Sequence, residues 1–254
     1  MTDVPALELR GLRKTFGPTV AVAGVHLIIE AGTFWGLVGP NGAGKTTLLS
    51  MAVGLLRPDT GDARLLGHSM WNGSEAARAK SVVGVLPDGL ALPQRLTGRE
   101  LLTYLGLLRG LPGEVVAHRA SEVLEVLELT GAESTLIADY STGMRKKIGL
   151  AAAVLHGPRL LVLDEPFEAV DPLSAMTITA ILNGFTVAGG TVLLSTHTMA
   201  LVEQLCGHVA VLGHGAVLRS GTVAQVAAGR SLSDAFADLV GATPQTQGLS
   251  WFGS

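Results

Sequence analysis

The sequence predicts an α/β fold: a parallel sheet flanked by helices, an antiparallel β subdomain on its N-terminal side, and an inserted α-helical subdomain. Three observations carry this. The runs Val82–Leu86, Leu160–Leu163, Thr191–Leu194 and Val209–Leu212 are strand-length and continuously apolar, as strands buried on both faces are. The first 66 residues hold alternating or β-branched segments separated by turn residues. Between Gly89 and Leu155 that strand signal vanishes and apolar residues recur at helical spacing.

The elements follow in order. Leu7 to Arg10, Val25 to Glu30 and Ala63 to Leu66 read as the antiparallel strands, with turns at Ala31-Gly32 and Pro58-Asp59-Thr60-Gly61. Phe34 to Val38 reads as a buried strand and Thr47 to Val53 as a helix. Leu101 to Leu108, Glu114 to Leu129 and Gly143 to Leu155 are the helices of a subdomain inserted at about residues 89–155. One domain is expected to run through residue 222, with 223–254 as a short helical extension and disordered tail. In that extension Ser231, Asp234 and Gly241 bracket a closing helix as N-cap, first-turn acid and terminal glycine.

Composition narrows the class. At 254 residues the chain buries a core easily, and its 48% hydrophobic against 15% charged content implies a surface partly covered by a protein partner. Apolar stretches are interrupted at His156, Pro158 and Arg159, short of the ~20 residues of a membrane span. Met1 to Pro5 lacks the basic region and apolar core of a secretory signal, which points to the cytosol. The single cysteine, Cys206, lies in an apolar helical pattern and reads as a small core side chain. A net charge of −3 argues against a general nucleic-acid surface.

The chemistry begins at Gly39-Pro40-Asn41-Gly42-Ala43-Gly44-Lys45-Thr46, which fits G-x-x-x-x-G-K-[ST] with a strand before it and a helix, opening at Thr47, after it. The glycines let successive N–H groups curl around phosphate oxygens, and the helix adds its positive end. Lys45 supplies a point charge to the phosphates and Thr46 an oxygen ligand to Mg²⁺. A glycine-rich turn without a ligand is the bland alternative, and the flanks weigh against it. The core is therefore expected to be that of a P-loop NTPase. The strand Leu160–Leu163 ends in Asp164-Glu165, at the sheet edge where ligands of open α/β sheets sit. Asp164 would hold Mg²⁺, and Glu165 would polarise a water in line with the γ-phosphate. Alone, the pair reads equally well as a charged strand end. His197 follows another strand at the same edge and can hold the attacking water and Glu165 in register. An isolated histidine there is more often structural, and the other six histidines show no metal-ligand spacing.

From about Leu7 to Thr222 the chain resembles the ATP-binding cassette (ABC) transporter ATPases. The resemblance implies that Phe16 stacks on adenine, although a core phenylalanine at a strand end looks the same. Tyr140-Ser141-Thr142-Gly143-Met144 stands where the family carries its signature, with Ser141 and Gly143 kept, and would present a helix N-terminus to the γ-phosphate held by an opposite subunit. Ser141 also reads simply as an N-cap. Asp171, before Pro172, matches the aspartate that joins the two sites across the dimer.

Two departures accompany the match. Asp88, in Leu86-Pro87-Asp88, replaces the usual glutamine; a carboxylate still ligates Mg²⁺ but adds negative charge beside the triphosphate, so turnover could differ. The Tyr-Ser-x-Gly-Met signature and the tail Ser231-Leu232-Ser233-Asp234-Ala235-Phe236 are similar to the ATPase halves of ABC-2-type bacterial exporters. The resemblance thus implies ATP and Mg²⁺ as cofactors, hydrolysis assisted by Glu165, His197 and Lys45, and a homodimer or heterodimer closing around two nucleotides. It implies transmembrane permease subunits as partners on the cytoplasmic face of the membrane, and no nucleic acid. The alternatives are a soluble non-transport ABC ATPase, or an ATP-sensing module with weak hydrolysis. Cargo is invisible in this chain.

Overall fold

The computed structural model describes residues 4–241. Its strands are β1 (Leu7–Phe16), β2 (Thr19–Ile29), β3 (Phe34–Val38), β4 (Thr60–Leu65), β5 (His68–Ser69), β6 (Val83–Leu86), β7 (Leu160–Asp164), β8 (Thr191–Thr196), β9 (His208–Gly213) and β10 (Ala216–Thr222). Its helices are α1 (Lys45–Ala52), α2 (Ala76–Ser81), α3 (Gly98–Leu108), α4 (Gly113–Val126), α5 (Thr142–Val154), α6 (Pro172–Val187), α7 (Met199–Leu205), α8 (Val223–Ala227) and α9 (Leu232–Val240). Two 3-10 turns, Thr130–Ala132 and Ile137–Asp139, separate α4 from α5. The tail after Ala242, expected to be disordered, lies outside the described residues.

Two sheets form. One is antiparallel, in the order β2-β1-β4-β5; the other has the order β10-β9-β3-β8-β7-β6, with β9 through β6 parallel. Side chains alternate across each parallel strand. Phe34, Val38, Leu161, Leu163, Val192 and Leu194 join a core shared with Leu101, Leu124 and Ile148 of the helices between β6 and β7. Trp35, Leu37, Leu160, Val162 and Leu193 join the second core, beneath Leu7, Leu9 and Leu12 of β1 and Leu48 of α1. Both faces are covered, which is why these strands read as unbroken apolar runs.

The parallel register sets up a functional edge. Val38 pairs with Thr196, and Asp164 with Ser195, so the segments leaving β3, β7 and β8 emerge side by side at the carboxyl ends of the strands. Leu86 pairs with Leu163, which brings the segment after β6 to the same edge.

The structure extends the expected strands, β2 back to Thr19 and β4 back to Thr60 among them, and adds unexpected ones, β10 among them. β1 continues past Arg10 to Phe16, because Gly11 takes a φ of 62° and the pairing register slips around it. A bulge of this kind breaks strict alternation without ending the strand. β10 is an antiparallel edge strand that makes the larger sheet mixed. It returns from β9 through His214 and Gly215, both at positive φ (49° and 76°), as a two-residue hairpin of the primed type requires.

Gly84 shows how closely the insert meets the sheet. A Cβ there would stand 2.1 Å from the Ala153 carbonyl oxygen of α5 and 2.7 Å from Leu161 Cδ2. The first neighbour is backbone and cannot swing away. Gly84→Ala is expected to destabilise by about 2–3 kcal/mol as an overpacked core site. Thermal denaturation should show a midpoint roughly 5–10 °C lower, and an unchanged midpoint would mean that α5 can retreat from β6.

Candidate functional site

The site is a cleft of about 560 Å³ at the carboxyl edge of the parallel sheet. It is lined by Asn41, Gly42, Ala43, Gly44, Lys45, Thr46 and Thr47, and by Asp88, Asp164, Glu165 and His197, all named above from sequence. Pro40, a variable position of the loop motif, also lines it, as do Ala21 and Glu168, which carried no sequence signal.

The loop owes its path to glycine. Gly44 has a φ of 101° and N-caps α1; a Cβ there would lie 2.3 Å from the Ala21 carbonyl oxygen. Only a residue without a side chain permits both the left-handed backbone and that approach. The helix begins at Lys45, so its first N–H groups and Thr46 face the cleft as an anion site would demand. Lys45 is buried and its Nζ donates to the Gly39 carbonyl at 2.8 Å, which keeps the ammonium within the loop. Gly39 itself stands behind the cleft rather than in its wall, where a Cβ would meet the Leu212 carbonyl oxygen at 2.5 Å.

Opposite the loop, Asp164 is buried at the end of β7 and its Oδ1 accepts a hydrogen bond from the Ser195 hydroxyl. The same Ser195 Oγ accepts from the Glu165 N–H at 3.0 Å. Glu165 takes a φ of 46°, uncommon for a residue with a side chain. That backbone turn directs its carboxylate to His197, whose Nδ1 is 3.2 Å from both carboxylate oxygens. His197 therefore fixes the orientation of the carboxylate while its exposed ring remains open to the cleft. Thr46, Asp164 and Asp88 supply hydroxyl and carboxylate oxygens, a donor set that suits a hard divalent cation such as Mg²⁺.

Phe16, Ser141, Gly143 and Asp171 do not line this cleft. Phe16 ends β1, half exposed, with Lys14 Nζ 5.7 Å from its ring centroid. Ser141 N-caps α5, accepting from the Met144 N–H at 3.2 Å, and Gly143 lies in the first turn. Asp171 N-caps α6 through Ser174, whose N–H and hydroxyl donate to its two carboxylate oxygens at 3.0 and 2.6 Å. Those bonds, the Ser174 hydroxyl above all, hold its carboxyl below the ordinary range. Two residues with no assigned role emerge from the geometry: Ser195, which serves both acidic residues, and Lys146 of α5, whose Nζ donates to the Glu165 carbonyl at 2.9 Å.

Cys206 does not line the cleft. It is buried after α7, and burial pushes its thiol up to about 12. A disulfide-exchange reagent should label the urea-unfolded chain stoichiometrically and leave the native chain nearly unlabelled over the same minutes. Fast native labelling would show that α7 opens readily.

Comparison with known proteins agrees with this geometry. The family model described as ABC transporter matches residues 22–168. The daunorubicin/doxorubicin resistance ATP-binding protein DrrA of Streptomyces peucetius is 37% identical over 221 residues, covering 87% of this chain and 66% of that protein. The linearmycin resistance ATP-binding protein LnrL of Bacillus subtilis (strain 168) is 36% identical over 216 residues, covering 85% and 69%. The Nod factor export ATP-binding protein I of Rhizobium sp. (strain N33) is 34% identical over 217 residues, covering 85% and 71%. The matched part of the chain thus spans about two thirds of the length of these relatives. Among solved structures, an ATP-binding subunit of an ABC transporter superposes with a TM-score of 0.85 at 28% identity, over 92% of this chain and 99% of that one. A dimeric ATP-binding cassette in a post-hydrolysis state with ADP and Pi has the same fold, with a TM-score of 0.78 at 24% identity, over 85% and 98%. This chain belongs to the ABC transporter family and is an ABC ATPase, built as its nucleotide-binding cassette.

Proposed function

We propose that this ATPase energises export through separate transmembrane permease subunits, at the cytoplasmic face of the membrane. Two cassettes, like or homologous, close around two molecules of Mg-ATP. One observation carries the reading: Lys45, Asp164, Glu165 and His197 line one cleft, while Ser141, Gly143 and Asp171 stand outside it. A signature helix outside its own cleft is free to cap the nucleotide of an opposite subunit.

In this reading the loop N–H groups and Lys45 bind the β- and γ-phosphates. Thr46, Asp164 and Asp88 hold the Mg²⁺, which when bound neutralises phosphate charge. Glu165, oriented by His197, accepts a proton from the attacking water. Loss of the γ-phosphate removes the contacts joining the halves, and their separation moves the permease. The drug-resistance and export names of the relatives support outward transport. Among the described residues, no helix is long and apolar enough to cross a membrane.

The test is to tag the chain in its native cell, solubilise membranes in mild detergent and identify what co-purifies. A stoichiometric polytopic membrane protein is expected. Recovery with ribosomes, DNA or cytosol alone overturns the transporter reading in favour of a soluble ATPase.

A further inference from the structure

We propose that Lys146 is a positioning residue for hydrolysis: its ammonium pins the backbone of Glu165 and offsets the charge that Asp88 brings to the cleft. The inference rests on the hydrolytic role given to Glu165 above. Lys146 lies in the first turns of α5, the helix that Ser141 caps, and its side chain is only 12% exposed. Its Nζ donates to the Glu165 carbonyl at 2.9 Å and lies 3.8 Å from Asp88 Oδ1.

Both halves follow from the geometry. Glu165 sits at a φ of 46° and is held on either side, by Ser195 Oγ at its N–H and by Lys146 at its carbonyl. An uncommon backbone conformation persists when its surroundings over-determine it. The carbonyl also accepts from the Glu168 N–H at 3.2 Å; removing the shorter, charged lysine bond leaves that one alone, loosens the peptide and lets the carboxylate drift from His197. Asp88, in turn, places a negative charge on a wall that also carries Asp164, Glu165 and Glu168 and must accept a triphosphate. A lysine nearly out of water is the nearby compensation: its ammonium donates to the Glu165 carbonyl while its charge faces Asp88 across 3.8 Å. The same side chain ties the signature helix to the catalytic strand end and to the segment after β6.

The test uses the full chain and three variants. Lys146→Met keeps length and helix propensity but removes charge and donors; its kcat should fall about tenfold, with KM for ATP changed less than about threefold. Lys146→Arg should retain most of kcat. Adding Asp88→Gln to Lys146→Met should restore about threefold, because a neutral amide needs no counter-ion. Hydrogen exchange of the peptide spanning 164–170 should quicken in Lys146→Met and not in Lys146→Arg. This readout holds whether or not ATP is turned over. A Lys146→Met protein with unchanged kcat and unchanged exchange, whatever its melting midpoint, overturns the proposal. Failure of the added Asp88→Gln to restore activity overturns the charge-offset half. Absence of hydrolysis by the wild type, with quickened exchange in Lys146→Met, would instead defeat the hydrolytic reading and leave the tether standing.

Discussion

Glu165→Gln is expected to bind Mg-ATP as tightly as the wild type while turning it over about 10²–10³-fold more slowly, the loss typical of removing a positioned proton acceptor. The amide has the size of the carboxylate and still meets His197 Nδ1, which is 3.2 Å from both oxygens of Glu165. It cannot take the proton of the attacking water. Four carboxylates line the cleft, yet Asp164 is buried and bonded to Ser195, and Asp88 lies beside Lys146. Only Glu165 is both oriented by a histidine and fixed by two backbone tethers. With hydrolysis blocked and nucleotide retained, the ATP-bound dimer should accumulate, and size-exclusion chromatography with ATP should show a dimer that ADP does not support. Turnover at the wild-type rate would transfer the role to another group, with Glu168 the carboxylate of the cleft wall that has no assigned role. Slow turnover without any ATP-dependent dimer would keep the catalytic assignment and remove the sandwich.

The parts of this fold that were legible in sequence are those where one physical demand excludes other residues. Phe34–Val38 matches β3 residue for residue, because a strand buried on both faces leaves no position for a polar side chain. The phosphate loop was readable because Gly44 tolerates no Cβ against the Ala21 carbonyl. The closing helix α9 carried its own punctuation, with Ser231 accepting from the Asp234 N–H and Gly241 ending it in the left-handed region. What escaped has equally physical reasons. α6 has no charged residue, and Leu173, Met176 and Val187 are exposed on it, so it shows no polar face to set against an apolar one. β10 lacks alternation because it is an exposed edge, although the two-residue turn at His214-Gly215 was a signal in hand. Ser195 and Lys146 act through hydrogen bonds to residues 30 and 19 positions away. No spacing rule in the sequence reaches that far; only strand register and helix docking bring those groups together.

Mixing two dead variants should restore activity, and this is the sharper test of a shared site. Lys45→Ala removes the phosphate charge of a subunit's own cleft, and Ser141→Arg puts a bulky cation at the helix N-terminus offered to the other subunit. Each alone should lose about 10²-fold or more in ATP turnover, since every site in its homodimer is damaged. In a two-fold dimer the same patch faces both ways, so each site takes one loop and one signature. A mixed dimer then has one site with both faults and one with neither. At equal mixing about half the dimers are mixed, so roughly a quarter of wild-type sites return if the two act independently. Recovery near that level, after co-expression or slow exchange of subunits, would establish that Ser141 works in trans. If the mixture stays as inactive as its parents, two outcomes separate by chromatography. Mixed dimers that form but do not hydrolyse mean either that both sites must fire together or that the signature acts within its own chain, the second of which the position of Ser141 outside the cleft argues against. If no dimers form at all with ATP, it is the two-subunit sandwich that fails, and with it any site shared between chains.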